Sequence, residues 1–214
     1  MNLFTDTLLV LLLLTCFLLL GASRLLAGVR ITAAQGLLVG LLPLAREGSA
    51  ISIRVAILAV IIAVLKAFVF PWLLRRTLRS AKTTREDTPL ISYGVSLLLG
   101  AVAAGVAFWL DTRLPFSDGA GSTLVVPTAF MVMATGLLMM IGRRTAINQV
   151  LGYLTLENGI YTFGLAIVGG IPVLVELGVL MDMFVAVFVM GIAIYRISRE
   201  FDHIDSAQLT TLKG

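Results

Sequence analysis

Long apolar runs alternate with short polar segments along the whole chain, and this pattern predicts transmembrane helices. A helix needs about 20 consecutive apolar residues to cross the hydrocarbon core of a bilayer. Seven runs reach or approach that length, and the last begins at Pro172, a first-turn position where proline is tolerated. The predicted spans are residues 3–23, 27–45, 51–74, 90–110, 123–141, 145–168 and 172–195.

Composition supports this interpretation. Of the 214 residues, 59% are hydrophobic and 13% charged, whereas soluble domains have roughly 45–50% apolar and about 25% charged residues. We therefore expect an all-α, polytopic integral membrane protein with one transmembrane domain over residues 1–214. Its predicted parts are a three-helix unit at 1–75, a connecting helix at 90–110, a second three-helix unit at 122–198 and a tail at 199–214.

The basic residues predict the orientation of the helices. Short cytoplasmic loops of membrane proteins are enriched in Lys and Arg. Twelve of the 16 basic residues fall on one side of a seven-span arrangement, which predicts an external N-terminus and a cytoplasmic C-terminus. This bias explains the net charge of +4 without a nucleic-acid partner. The twelve are Arg24, Arg30, Arg75, Arg76, Arg79, Lys82, Arg85, Arg143, Arg144, Arg196, Arg199 and Lys213.

A tandem repeat of three helices is one interpretation of the spacing between the two halves. Arg30 and Gln35 are spaced like Arg144 and Gln149, and a similar offset aligns the third span with the seventh. Helices rich in Leu and Val also match by chance, so the repeat and the chance match both stay open.

Five ionisable residues stand out inside the predicted spans or at their margins: Lys66, Glu157, Glu176 and Asp182, with Arg54 at a helix edge. A charge in hydrocarbon is costly, so such residues face protein or water and often mark ion paths. Glu157 and Asp182 fall near mid-span, and Glu176 lies about 9 Å further out along its helix. Carboxyl groups in an apolar environment can exchange protons near neutral pH, with Lys66 as a modulator. The alternative is that these groups only hold helices together. Pro71, which lacks an N–H, is expected to kink the helix that carries Lys66.

Other chemistry finds little support in the sequence. The chain has one cysteine, Cys16, and one histidine, His203, so an internal disulfide, a thiolate metal site and a bis-histidine haem are excluded. Hydrolase motifs and a phosphate-binding loop are absent from the sequence. We expect no catalytic, cofactor-binding or metal-binding residue in this chain.

Several segments resemble the hydrogenase-4 component E family, a membrane subunit of formate-hydrogenlyase-type, group 4 hydrogenase complexes. The resemblance is strongest after Arg143. It rests on the residues of segments 143–145, 152–159, 174–178 and 209–214, together with Asp182.

The last three spans also resemble the K subunit of respiratory complex I and the C subunit of Mrp antiporters. In that family a carboxylate follows a glycine by two residues. Here Leu154 occupies that place after Gly152, and Glu157 lies one turn later. The second family carboxylate matches Asp182, which leaves Glu176 as an additional acid.

The resemblance implies a noncatalytic subunit of an oxidoreductase complex, without a redox site of its own, in a bacterial cytoplasmic (inner) membrane. The implied partners are antiporter-like membrane subunits, a membrane anchor subunit and a peripheral hydrogenase-like arm that holds iron–sulfur and nickel–iron centres. Glu157, Asp182, Glu176 and Lys66 would form part of a path for protons or Na⁺. The alternatives are a purely structural docking subunit and an autonomous small secondary transporter.

Overall fold

The computed structural model describes residues 3–47, 53–81, 89–114 and 123–167, and all regular structure in these ranges is helical. The third predicted span is one run of two twelve-residue α-helices joined by a five-residue π-helical segment. The seventh span, with Glu176 and Asp182, lies outside the described residues. The helices are α1 Leu3–Gly21, α2 Leu25–Glu47, α3 Ile53–Val64, the π-helical segment Leu65–Val69, α4 Phe70–Ala81, α5 Tyr93–Asp111, α6 Val125–Gly142 and α7 Ala146–Ile167.

An all-helical membrane protein is confirmed in the described part of the chain. Four helices there are long and apolar enough to cross a bilayer: Leu3–Gly21, Leu25–Ala45, Tyr93–Asp111 and Val125–Gly142. They coincide with the first, second, fourth and fifth predicted spans. The total of seven spans, the domain boundaries and the orientation stay predictions.

Helices α1, α2, α6 and α7 pack at the centre of the described bundle. Helix α5 lies outside, against α1 and α6, and the run from α3 to α4 packs against α2. Close approach of α6 and α7 depends on glycine: a Cβ added at Gly136 would stand 2.5 Å from the Leu156 backbone nitrogen. Small residues bring helix backbones together in this way in membranes.

The proposed repeat is not supported by the described helices. Arg30 and Gln35 both lie inside α2, whereas Arg144 precedes α7 and Gln149 lies in its first turn. The other half of the comparison, the third span with the seventh, cannot be made because the seventh span lies outside the described residues.

A π-helical segment lies directly before Pro71, in the helix for which the sequence predicts a kink. The Phe70 N–H donates to the carbonyl of Leu65, five residues earlier, which is the π-helical register. Pro71 has no N–H to donate, so the ordinary α-helical ladder is already interrupted at this point. The interruption is taken up as a π-helical segment that contains Lys66, and such segments occur frequently at functional sites.

Candidate functional site: a buried lysine–glutamate pair

Two apolar clusters occupy opposite ends of the bundle, and a layer of polar side chains lies between them. On α7, for example, Leu154 belongs to one cluster and Tyr161 to the other, with Glu157 and Asn158 between. The other central helices and the α3–α4 run show the same order. We call this set the polar layer; its members are Cys16, Gln35, Lys66, Thr135, Glu157 and Asn158, all buried.

Lys66 and Glu157 form an ion pair within the polar layer. The Lys66 Nζ atom lies 2.7 Å from Glu157 Oε1, and the two residues are 6% and 2% exposed. The ammonium also donates to Asn158 Oδ1 at 3.1 Å. Consecutive residues of a helix point about 100° apart, so the ammonium reaches both by entering between them.

Helix α2 makes room for this contact at Gly36. A Cβ added at Gly36 would lie 2.5 Å from the Lys66 Cβ and 3.0 Å from its backbone carbon. One turn further on, a Cβ at Gly40 would lie 2.9 Å from the Ala63 Cβ. The run that carries Lys66 therefore packs directly on the backbone of α2, close enough for the side chain to reach α7.

The second carboxylate oxygen of Glu157 has different surroundings. Glu157 Oε2 is buried, and the described residues give it no hydrogen-bond partner. One oxygen of this carboxylate is therefore held by the ammonium, while the other has an unused acceptor site where a proton or a water molecule can bind.

The predicted relay residues divide into two groups. Lys66 and Glu157, from spans three and six, are brought into direct contact, whereas Glu176 and Asp182 lie outside the described residues. The relay role of all four stays a prediction. Within the described ranges, no group of three His, Cys, Asp or Glu side chains is placed to hold a metal ion.

Asn158 and Gln35 were not among the predicted site residues. Asn158 follows Glu157 directly, so an amide next to a mid-span acid was the signal that could have identified it. Gln35 is a fully buried amide in the middle of α2. The sequence shows a polar residue in an apolar span at this position, but it does not show which residues contact it.

Arg143 was expected in a cytoplasmic loop, and it does follow α6, but its side chain is buried. Its guanidinium donates to the carbonyls of Leu20 at 2.8 Å and Ile91 at 3.0 Å, and lies 4.2 Å from the centre of the Tyr93 ring. It therefore joins the ends of α1, α5 and α6. Its neighbour Arg144 is exposed.

Comparisons with known proteins find two kinds of relative. The chain is 34% identical over 191 residues to uncharacterized protein Rv0085 of Mycobacterium tuberculosis, covering 86% of this chain and 84% of that protein. It is 26% identical over 151 residues to hydrogenase-4 component E of Escherichia coli K12, covering 70% of this chain and 69% of that protein. The component E of Shigella flexneri matches equally.

No family model and no solved structure matches the chain. The resemblance to hydrogenase-4 component E is thus confirmed as a distant homology, while the resemblance to the complex I K subunit stays a prediction. By its similarity over most of both sequences, the chain belongs to the family of Mycobacterium tuberculosis protein Rv0085, to which hydrogenase-4 component E is distantly related.

Proposed function

We propose that this protein is a noncatalytic membrane subunit of a hydrogenase-4-like, redox-driven ion-translocating complex. The distant homology to hydrogenase-4 component E and the apolar helices support membership of such an assembly. The redox centres, iron–sulfur and nickel–iron, belong to a peripheral arm formed by partner subunits. Antiporter-like and anchor subunits of the membrane arm are the proposed neighbours.

The observation that carries an ion-path role is the buried contact of Lys66 with Glu157. A carboxylate and an ammonium at 2.7 Å neutralise each other, and protonation of the carboxylate abolishes that attraction. Uptake of a proton at Glu157 therefore changes the force that holds two helices, and its release restores the pair. The free position at Oε2 is the proposed point of entry.

Asp182 and Glu176 are the proposed further steps of the path. Asp182 would serve as the second central carboxyl group, and Glu176, further out on the same predicted helix, as the exit or entry on the external side. The transported ion is a proton in this proposal, and Na⁺ is the alternative cation.

The same ion pair also favours a second candidate, a subunit that only docks its neighbours. Breaking a buried pair is strongly destabilising, so Lys66 and Glu157 could serve solely to fix the α3–α4 run against α7. This structural role requires the charges only for stability, whereas the relay requires a carboxyl group that ionises.

Replacing Glu157 by Gln separates the two candidates. Glutamine keeps a carbonyl acceptor for Lys66 but cannot exchange a proton by ionising. The relay predicts normal assembly with at least about tenfold slower proton uptake. Asp182→Asn should behave alike, and Glu176→Gln should be milder.

Proton uptake and subunit content should be measured in the same membranes, together with the proteins that co-purify in mild detergent. Asp111→Asn, an acid-to-amide change at the end of α5 and outside the polar layer, is the matched control. Normal proton uptake in a fully assembled Glu157→Gln variant would rule out the relay and favour the docking role. A nickel–iron large subunit among the co-purified proteins would identify the enzyme class.

A further inference from the structure

A second group of buried polar side chains lies in the polar layer, on a different face of α2 from Lys66. Cys16 of α1, Gln35 of α2 and Thr135 of α6 are each 0% exposed. The Gln35 side-chain amide donates to Cys16 Sγ at 3.7 Å, and Thr135 also lies beside the thiol. Gln35 and Gly36 are consecutive and point about 100° apart, so α2 separates this group from the ion pair.

Two polar atoms of this group have unused hydrogen-bonding capacity. The other end of the Gln35 amide, Oε1, is buried and finds no partner within the described ranges, and the buried Thr135 hydroxyl has none there beyond the neighbouring thiol. Both atoms belong to side chains next to the same thiol. Buried polar groups in native proteins are satisfied by protein or by ordered water.

Three helices thus bring an amide oxygen, a hydroxyl and a thiol close together in the interior of the bundle. A bound water makes about three hydrogen bonds, usually to buried groups that lack other partners. A water here would donate to Gln35 Oε1 and exchange hydrogen bonds with the Thr135 hydroxyl and the Cys16 thiol.

We propose that Cys16, Gln35 and Thr135 form a buried water-binding site in the polar layer, distinct from the Lys66–Glu157 pair. Through this water the thiol proton exchanges with bulk solvent, although the side chain is fully buried. The inference is independent of the proposed function, because it concerns hydration and requires no ion transport.

Cys16 is the single cysteine of the chain, so its S–H stretching band in the infrared is a native reporter. The purified full-length protein in lipid nanodiscs is transferred to D₂O, and conversion of the S–H band to S–D is followed in time. The wild-type thiol should exchange well before the backbone amides of α1. Gln35→Leu, which removes the water's amide partner, should slow thiol exchange about tenfold or more.

Thr15→Val is the matched control, because Thr15 adjoins Cys16 but its hydroxyl donates to the Leu12 carbonyl at 2.6 Å; its thiol exchange should equal that of the wild type. Thr135→Val provides a smaller change at the site should Gln35→Leu fail to fold, and it should also slow exchange. Wild-type thiol exchange no faster than that of the α1 amides would overturn the proposal. Unchanged exchange in folded Gln35→Leu or Thr135→Val protein would do the same.

Discussion

Lys66 and Arg143 are both buried cations, but their partners differ in kind. The Lys66 ammonium meets a carboxylate and an amide between two apolar clusters. The Arg143 guanidinium donates to two backbone carbonyls at the end of the bundle and stacks on Tyr93. A backbone carbonyl keeps the same charge under all physiological conditions, whereas a carboxylate can take up a proton. The contacts of Arg143 therefore keep the same charges at all times, whereas the contact of Lys66 changes when the Glu157 carboxylate takes up a proton.

The residue types suit these two roles. Arginine presents a planar fork of donors that can reach several acceptors at once, whereas lysine is a compact charge on a flexible stem. Arg143 uses its fork to bridge Leu20 of α1 and Ile91, which precedes α5. Lys66 extends past Gly36 to acceptors on a single helix.

The largest effect is expected from Lys66→Met, which leaves the Glu157 carboxylate buried without its ammonium. Loss of one partner of a buried pair lowers the free energy of unfolding by about 3–5 kcal/mol. Replacing both residues, as Lys66→Met with Glu157→Leu, should return it to within about 1 kcal/mol of the wild type, because apolar residues of similar size need no partner. Equilibrium unfolding in mixed micelles measures all three proteins.

The double variant also tests the comparison with Arg143. If the pair acts as a relay, the double variant is stable but does not support proton uptake in the assembled complex. A stable double variant that retains normal proton uptake would mean that Lys66, like Arg143, only stabilises the fold.

Arg143→Ala should have the next largest effect. It leaves the buried carbonyl of Leu20 and the partly buried carbonyl of Ile91 without their donor. A buried group left unsatisfied costs about 1–3 kcal/mol, and we expect a total loss of about 3 kcal/mol in the free energy of unfolding. Arg143→Lys should recover only part, because one ammonium cannot reproduce the fork. The control is Arg144→Ala, an exposed neighbour, with a change within about 0.5 kcal/mol. Equal losses at positions 143 and 144 would contradict the assigned junction.

The sequence singled out two of the buried charged residues, but it did not predict the contact between them. Lys66 and Glu157 were identifiable because ionisable residues are rare inside apolar spans. Their direct contact was not, since they are 91 residues apart and on spans that are not consecutive. Helix periodicity describes neighbours within a helix, and it says nothing about which helices become adjacent.

The surroundings of Arg143 also could not be predicted from the sequence. Its position after an apolar span correctly predicted a helix end, but a loop arginine and a buried arginine give the same charge pattern. Whether the guanidinium meets water or the Leu20 carbonyl depends on how α1 and α6 terminate in space. Similarly, Pro71 signalled an interrupted helix, while the π-helical register that places Lys66 could be seen only from the backbone hydrogen bonds.

The smallest expected effect concerns the packing that lets Lys66 reach its partner. In Gly36→Ala the new methyl group would lie 2.5 Å from the Lys66 Cβ and 3.1 Å from the Lys66 carbonyl oxygen, so α2 and the π-helical segment must move apart. Such overpacking costs about 1–3 kcal/mol, and we expect Gly36→Ala to lower the free energy of unfolding by about 2 kcal/mol.

Gly94→Ala is the control, because no atom lies within 4 Å of its added Cβ; it should leave stability unchanged or slightly raised, since alanine favours helix. The displacement in Gly36→Ala should also weaken the ion pair. Adding Gly36→Ala to the Lys66→Met, Glu157→Leu double variant should therefore cost less than adding it to the wild type, because the pair is no longer there to be strained. An equal cost in both backgrounds would mean that Gly36 packs α2 without setting the distance between Lys66 and Glu157.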